Sequence, residues 1–451
     1  MKRFDDILKG EMNALIGEIQ KCVSFNTVQT DPEPGMPFGR ETAECLDYVL
    51  KLGESMGFSS ENFDNYAGHI DWGNGEEILG ILGHLDVVPV NPAEWIVPPF
   101  SGTLKDGKIY GRGAIDDKGP VMSCLFAMKI LRDGGYVPRR KVRLILGCNE
   151  ESGMKCMEYY LPRVKLPDAG FTPDADFPCI HGERGIYGMD ILLGKLPKKV
   201  LSLSAGSVVN VVPDKCEALL DLSVDISPLK ECGNIRCEKT EKGYLLTSSG
   251  ISCHGSIPQT GKNAVWDMIK ALCLLFPDCE TLAFISARLC SDYDGSAWGF
   301  PLEDEESGKM SFSLDVLRLM SDGLHGKIDF RFPVTFTHAQ LEECVRKNSP
   351  DYVRILGGHK SPSLYVSADD PLVRTALDAY EEVMGERKEP LVIGGGTYAK
   401  ALKNCIAIGP EFEGDELTMH TCNEYISVAR LEQMTKTVSY THLTLPTKRI
   451  V

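Results

Sequence analysis

The sequence predicts an α/β fold: a catalytic α/β sandwich with a mostly parallel central sheet, plus an inserted α+β lid domain. Three observations predict it. Helical and strand-like patterns alternate through residues 1–186. That texture changes over 187–365 and returns from 366. Chemistry-bearing residues stand at the ends of apolar runs, where sheets of this class place their sites.

In chain order, a first helix is expected over 4–24, where Ile7, Leu8, Met12, Leu15, Ile19 and Val23 form one stripe. A second is expected over 41–56. The run Ile78-Leu79-Gly80-Ile81-Leu82 opens a buried strand reaching Asp86. A helix over 120–131 has Pro120 near its start and Gly134-Gly135 at its end. Val142, Leu144 and Leu146 mark a strand leading into Glu150. Over 187–365, short runs such as Ile328-Asp329-Phe330-Arg331-Phe332 replace long helical patterns. A helix over 371–384 then precedes Leu391-Val392-Ile393-Gly394-Gly395-Gly396. The domains therefore read as catalytic 1–186 and 366–437, with the lid at 187–365. Residues 438–451 read as a foreign tail, because Val438-Ser439-Tyr440-Thr441-His442-Leu443-Thr444-Leu445-Pro446-Thr447 resembles the translation of a common sequencing adapter. His442 is accordingly given no role.

A chain of 451 residues exceeds one ordinary core. Its 43% hydrophobic and 25% charged residues are those of a globular protein. A net charge of −16 argues against nucleic acid and against an anionic membrane surface. The 16 cysteines lack regular spacing. With no signal-peptide pattern and no long apolar segment, they are expected as free thiols in the cytoplasm.

The chemistry gathers in a few motifs. His84 and Asp86 lie in Gly83-His84-Leu85-Asp86-Val87-Val88-Pro89, and i, i+2 residues share a strand face. An imidazole beside a carboxylate suits a divalent metal. Asp116 stands in Gly111-Arg112-Gly113-Ala114-Ile115-Asp116-Asp117-Lys118-Gly119-Pro120. Glu150 and Glu151 follow Asn149, Asp174 ends Phe171-Thr172-Pro173-Asp174, and His420 opens His420-Thr421-Cys422-Asn423-Glu424. Two close metals need several carboxylates, a few imidazoles and one bridging carboxylate. Gly394-Gly395-Gly396 lacks the Gly-Lys-Ser/Thr ending of a phosphate loop.

These motifs, in this order, resemble the co-catalytic zinc peptidases of the aminoacylase, carnosinase and glutamate carboxypeptidase superfamily, and within it the bacterial dipeptidase V branch. The likeness runs from the first helix to about Thr437. It implies metal ligation by His84, Asp116, Glu151, Asp174 and His420, with Asp116 bridging and followed by a cis peptide bond. It implies that Asp86 orients His84 and that Glu150 is the general base. In the lid it implies an oxyanion-stabilising His254, a substrate-clamping Asn210 and a carboxylate-gripping Arg331. Gly395, Gly396 and Thr397 would assist that grip. The implied cofactors are two divalent metal ions: zinc, with manganese or cobalt as substitutes. The expected activity is hydrolysis of unblocked dipeptides by a monomer in the cytoplasm, with a small peptide as the only partner. The rivals are a deacylase of N-acyl amino acids and a non-catalytic metal-binding homologue.

Overall fold

The computed structural model describes residues 2–444. It divides into two compact units. The first takes the chain up to His181, then Val366–Leu391 and the segment from Thr397 onward; the second holds Gly182–Tyr365 and Val392–Gly396. Gly395 and Gly396 thus fall in the second unit and Thr397 in the first.

In the first unit the hydrogen-bonded strand order is Ser59–Phe63, Ala67–Trp72, Lys141–Gly147, Ile78–His84, Ala169–Thr172 and Cys405–Ala407. The last four pair in parallel. The first two are antiparallel additions, so the sheet is mixed, and parallel in its middle. All of Ile78–His84 is buried. A central parallel strand is covered on both faces, which is why it reads as one apolar run. It ends at His84, so Asp86 lies beyond the strand.

Helix Lys2–Val23 packs on Lys118–Asp133. Lys118–Asp133 packs on Val428–Thr444, which also packs on Pro371–Met384. The stripe residues Leu8, Leu15, Ile19 and Val23 are buried, each worth at most about 1.5–3 kcal/mol. Asp370 caps Pro371–Met384 by accepting the Leu372 amide at 2.8 Å, and Gly385 closes it in the left-handed region. Val438 and Thr441 are buried within the last helix. Residues 445–451, the rest of the expected foreign tail, lie outside the described residues.

One glycine shapes the floor of the site. A Cβ on Gly83 would lie 2.4 Å from Val121 Cγ2 and 2.7 Å from Asp117 Oδ2. The start of Lys118–Asp133 can approach the strand end only because that side chain is missing. Asp117 uses the approach to accept the His84 amide at 3.1 Å.

The second unit is built on an eight-stranded antiparallel sheet. Its order is Ile235–Thr240, Gly243–Ser249, Lys215–Leu220, Val200–Ala205, Ser311–Leu319, Leu324–Phe332, Gly185–Gly194 and Arg354–Ser361. Helix Ala264–Leu275 packs on Lys215–Leu220 and Gly243–Ser249, over a core that includes Trp298, Phe312, Phe330 and Phe332. Asn263 caps that helix through the Val265 amide at 3.0 Å and donates to the Leu314 carbonyl at 3.0 Å. Among the described residues no helix is long and apolar enough to cross a membrane.

Candidate active site

His84, Glu151 and Asp174 stand at or just beyond the ends of the first unit's central strands, and two loops bring Asp116 and His420 to them. His84 leaves its strand with the imidazole 1% exposed. Its Nδ1 faces the Asp86 carbonyl oxygen at 2.9 Å, with Asp86 Oδ1 at 3.6 Å. A carbonyl can only accept, so Nδ1 carries a proton there and Nε2 is the ring atom left to offer a lone pair to a metal ion. That Nε2 points at Asp116 Oδ1, 3.0 Å away, and Asp174 Oδ2, 3.5 Å away. It is buried and makes no hydrogen bond.

Asp116 lies between two imidazoles. Oδ1 faces His84, and Oδ2 lies 2.8 Å from His420 Nε2. The Asp116–Asp117 peptide bond is cis. His420 Nε2 also meets Glu151 Oε1 at 3.2 Å. His84, Asp116 and Glu151 each offer a ligand atom, and these atoms lie within 4.8 Å of one another. The two flanks differ in access: His420 is 54% exposed, so one side of Asp116 is closed and the other open to solvent.

Asp86 does more than the resemblance implies. Its Oδ1 accepts the Glu150 amide at 3.0 Å and its Oδ2 the Glu151 amide at 3.1 Å. The strand before these glutamates ends at Gly147, so the pair stands on a turn. Glu151 reaches His420, while the half-buried Glu150 has no side-chain partner of that kind.

The electrostatics are those of a cation site. Burial pushes the Glu150 carboxyl well above its usual range; His84 opposes this, and Asp174 and Glu151 add to it. Burial likewise raises Glu151 and Asp174, each further raised by Asp116. Burial works against charge on His84, yet Asp116 and Asp174 hold its pKa well above the imidazole value. Hydrogen bonds to Asp116 and Glu151 push His420 up to about 10. With no other cation, the imidazoles take up protons to balance the carboxylates. A divalent ion supplies that charge and leaves them as neutral ligands. The unpaired, buried Nε2 of His84, aimed at two carboxylates, fits such an ion.

In the second unit His254 is exposed, and its Nδ1 lies 3.2 Å from the Ser256 amide and 2.7 Å from Ser256 Oγ. An amide can only donate, so Nδ1 accepts and Nε2 carries the proton. The Gly255 amide donates to the Asn210 carbonyl at 2.7 Å, which places Asn210 beside His254. Arg331 is buried and paired. Its Nε and Nη2 donate to Asp329 Oδ2 at 3.0 and 2.9 Å, and its Nη1 to the Gly394 carbonyl at 2.8 Å. Thr397, in the first unit, caps Tyr398–Ala401 by accepting the Ala399 amide at 3.1 Å. Asp329, Asp117 and Glu424 were missed as site residues. Each is a buried acid standing one to four positions from a predicted site residue, Asp117 beside Asp116, Asp329 two before Arg331 and Glu424 four after His420.

A mixed α/β sheet with imidazoles and carboxylates converging at its strand ends defines a divalent-metal hydrolase. The chain belongs to peptidase family M20/M25/M40, whose model matches residues 80–444. It is 35% identical over 443 residues to the protein named "Putative dipeptidase YtjP" of Bacillus subtilis (strain 168), covering 93% of this chain and 95% of that one. It is 32% identical over 441 residues to "Putative dipeptidase MW1694" of Staphylococcus aureus (strain MW2), covering 92% and 94%. The fold is similar to that of human carnosine dipeptidase 1, at TM-score 0.59 and 15% identity over 98% of both chains. It is equally similar to aminoacylhistidine dipeptidase from Vibrio alginolyticus, at TM-score 0.59 and 14% identity over 96% of this chain and 97% of that one.

Proposed function

We propose that this chain is a cytoplasmic dipeptidase with two metals, zinc in the first instance, that cleaves unblocked dipeptides. The observation that supports it best is the position of Asp116, whose two carboxylate oxygens face two different imidazoles. His84 and Asp174 would hold one ion, Glu151 and His420 the other, with Asp116 shared. The bound ions would acidify the attacking water and polarise the scissile carbonyl. Glu150, whose carboxyl burial raises above its usual range, would take a proton from that water and deliver it to the leaving amine. Asp86 holds both glutamates by their amides and His84 by its carbonyl.

The second unit's part is proposed from its own residues. His254 Nε2–H donates to the developing oxyanion. Arg331 binds the C-terminal carboxylate of the substrate, and Asn210 clamps its backbone, with Gly395 and Gly396 assisting; Thr397, which belongs to the first unit, is proposed to assist as well. Asp329 would hold Arg331 in one orientation.

The test is hydrolysis of Ala-Ala, Ala-Ala amide, a tetrapeptide and N-acetyl amino acids with zinc, manganese or cobalt, alongside sedimentation of the active species. Turnover of Ala-Ala by a monomer is expected, with Ala-Ala amide a poor substrate and the tetrapeptide and N-acetyl compounds left uncleaved. Preference for the N-acetyl compounds would make the chain a deacylase. Efficient tetrapeptide cleavage, or activity only in a dimer, would defeat the reading.

A further inference from the structure

Glu424 is a fully buried acid that the mechanism does not use. Its Oε2 accepts from Arg112 Nη1 at 2.6 Å. Its Oε1 accepts three loop amides: Gly113 at 2.9 Å, Ile115 at 3.0 Å and Asp116 at 3.3 Å. Its own carbonyl accepts the Gly111 amide at 2.9 Å. One residue therefore satisfies five donors from 111–116, the loop that ends in the bridging carboxylate. Four positions before it stands His420, the imidazole facing Asp116 Oδ2. The two segments lie over 300 positions apart; the pairing of Tyr425, Ile426 and Ser427 with Tyr110, Ile109 and Lys108 joins their flanks, and Glu424 carries that register on into the loop that holds Asp116. Arg112 is 3% exposed, and its guanidinium sits 5.4 Å from the Trp95 ring centroid. The clamp is thus closed from outside.

We infer that Glu424 is a positioning residue for the metal centre: it fixes Asp116 relative to His420 and so sets the affinity of the site for its ions. The inference rests on the metal-centre reading and not on the choice of substrate. A loop carboxylate in its place that merely balanced Arg112 would bind the side chain alone. Here three backbone amides, including that of the ligand itself, converge on one oxygen. Such supports of a ligand typically change metal affinity about 10- to 100-fold when removed.

The experiment titrates Zn²⁺ into apoprotein against a colorimetric chelator. Glu424→Ala should bind Zn²⁺ about 10- to 100-fold more weakly than wild type, and Glu424→Gln, which keeps one acceptor oxygen for the amides, less severely. Arg143→Met is the control. It breaks a buried pair whose Nε meets Asp71 Oδ1 at 2.7 Å, away from the ligands. It should lower the apoprotein Tm while leaving Zn²⁺ affinity at the wild-type level. Wild-type affinity in Glu424→Gln and Glu424→Ala, or an affinity loss matched by Arg143→Met at equal Tm loss, overturns the inference. If Glu424→Ala does not fold, Glu424→Gln decides together with hydrogen exchange of the wild-type protein. Amides of 111–117 and 418–426 should slow together on adding Zn²⁺. Independent responses of the two segments would reject the clamp. Failure of the wild type itself to bind Zn²⁺ would instead remove the metal-centre reading.

Discussion

Asp86 grips Glu150 by its backbone: Oδ1 accepts the Glu150 amide at 3.0 Å while the Glu150 side chain is left unengaged. A base held this way keeps its carboxylate available. Replacing the Glu150 side chain should therefore disturb chemistry and little else. Glu150→Gln should lower kcat by about 10²- to 10⁴-fold with metal content near wild type. Glu151→Gln should shed one ion, because Glu151 meets His420 directly. Metal analysis of both variants checks the assignment, and equal loss in the two would reverse it.

Removal of metal should abolish turnover and raise no new activity. After chelation and desalting, activity should return on titration with about two equivalents of Zn²⁺, Mn²⁺ or Co²⁺. Asp116→Asn, which weakens the group facing both imidazoles, should reduce occupancy at both positions. A single full-strength ion in that variant would show that Asp116 does not bridge.

Arg331 should act on one end of the substrate. Arg331→Met should lower kcat/KM toward Ala-Ala by about 10- to 100-fold, the scale of a charged hydrogen bond. It should change the slow cleavage of Ala-Ala amide far less. Asp329→Asn, which weakens the partner of Nε and Nη2, should show the same selectivity in milder form. Equal losses on both substrates would mean that Arg331 supports the fold of its unit only.

A stability effect separates from the chemistry at His69. It is buried with Nδ1 2.8 Å from the Tyr160 hydroxyl. Burial lowers its pKa to about 4, with Arg143 adding to this and Asp71 opposing. In the unfolded chain the value is about 6.5, so between those limits the unfolded state binds more protons. Stability is then lost as pH falls from about 6.5 toward 4. In chelator, urea unfolding of wild type should lose about 2 kcal/mol more between pH 7 and 5 than that of His69→Gln. Parallel curves would contradict it.

Much of this was legible in the residues. Seven buried positions in a row could only be a central strand, and the ligand types at its end followed from metal chemistry. The hairpin Ser59–Phe63 and Ala67–Trp72 was not legible as part of the sheet, because the pairing that joins it to Lys141–Gly147 depends on a partner far along the chain. The strand argument for His84 and Asp86 also stopped short. The strand ends at His84, and Asp86 serves both that imidazole and the glutamate amides from a loop. Glu424 stood inside the His420 motif, but its role was not legible: a buried acid with five donors and a solvated acid are written with the same letter. The pairing of Arg331 with Asp329 was hidden differently, since two residues on one strand face also suit a solvent-exposed ion pair.

The contact between Glu151 and His420 spans 269 positions of chain. During synthesis His84, Asp116, Glu151 and Asp174 all emerge before His420. A ribosome-bound intermediate therefore carries the carboxylate-rich half of the centre without the imidazole on its open flank. Such a nascent chain could collect an ion loosely, but it would lack a finished hydrolytic machine. A peptidase assembled in this order gains the open flank of its centre only once residue 420 has been made.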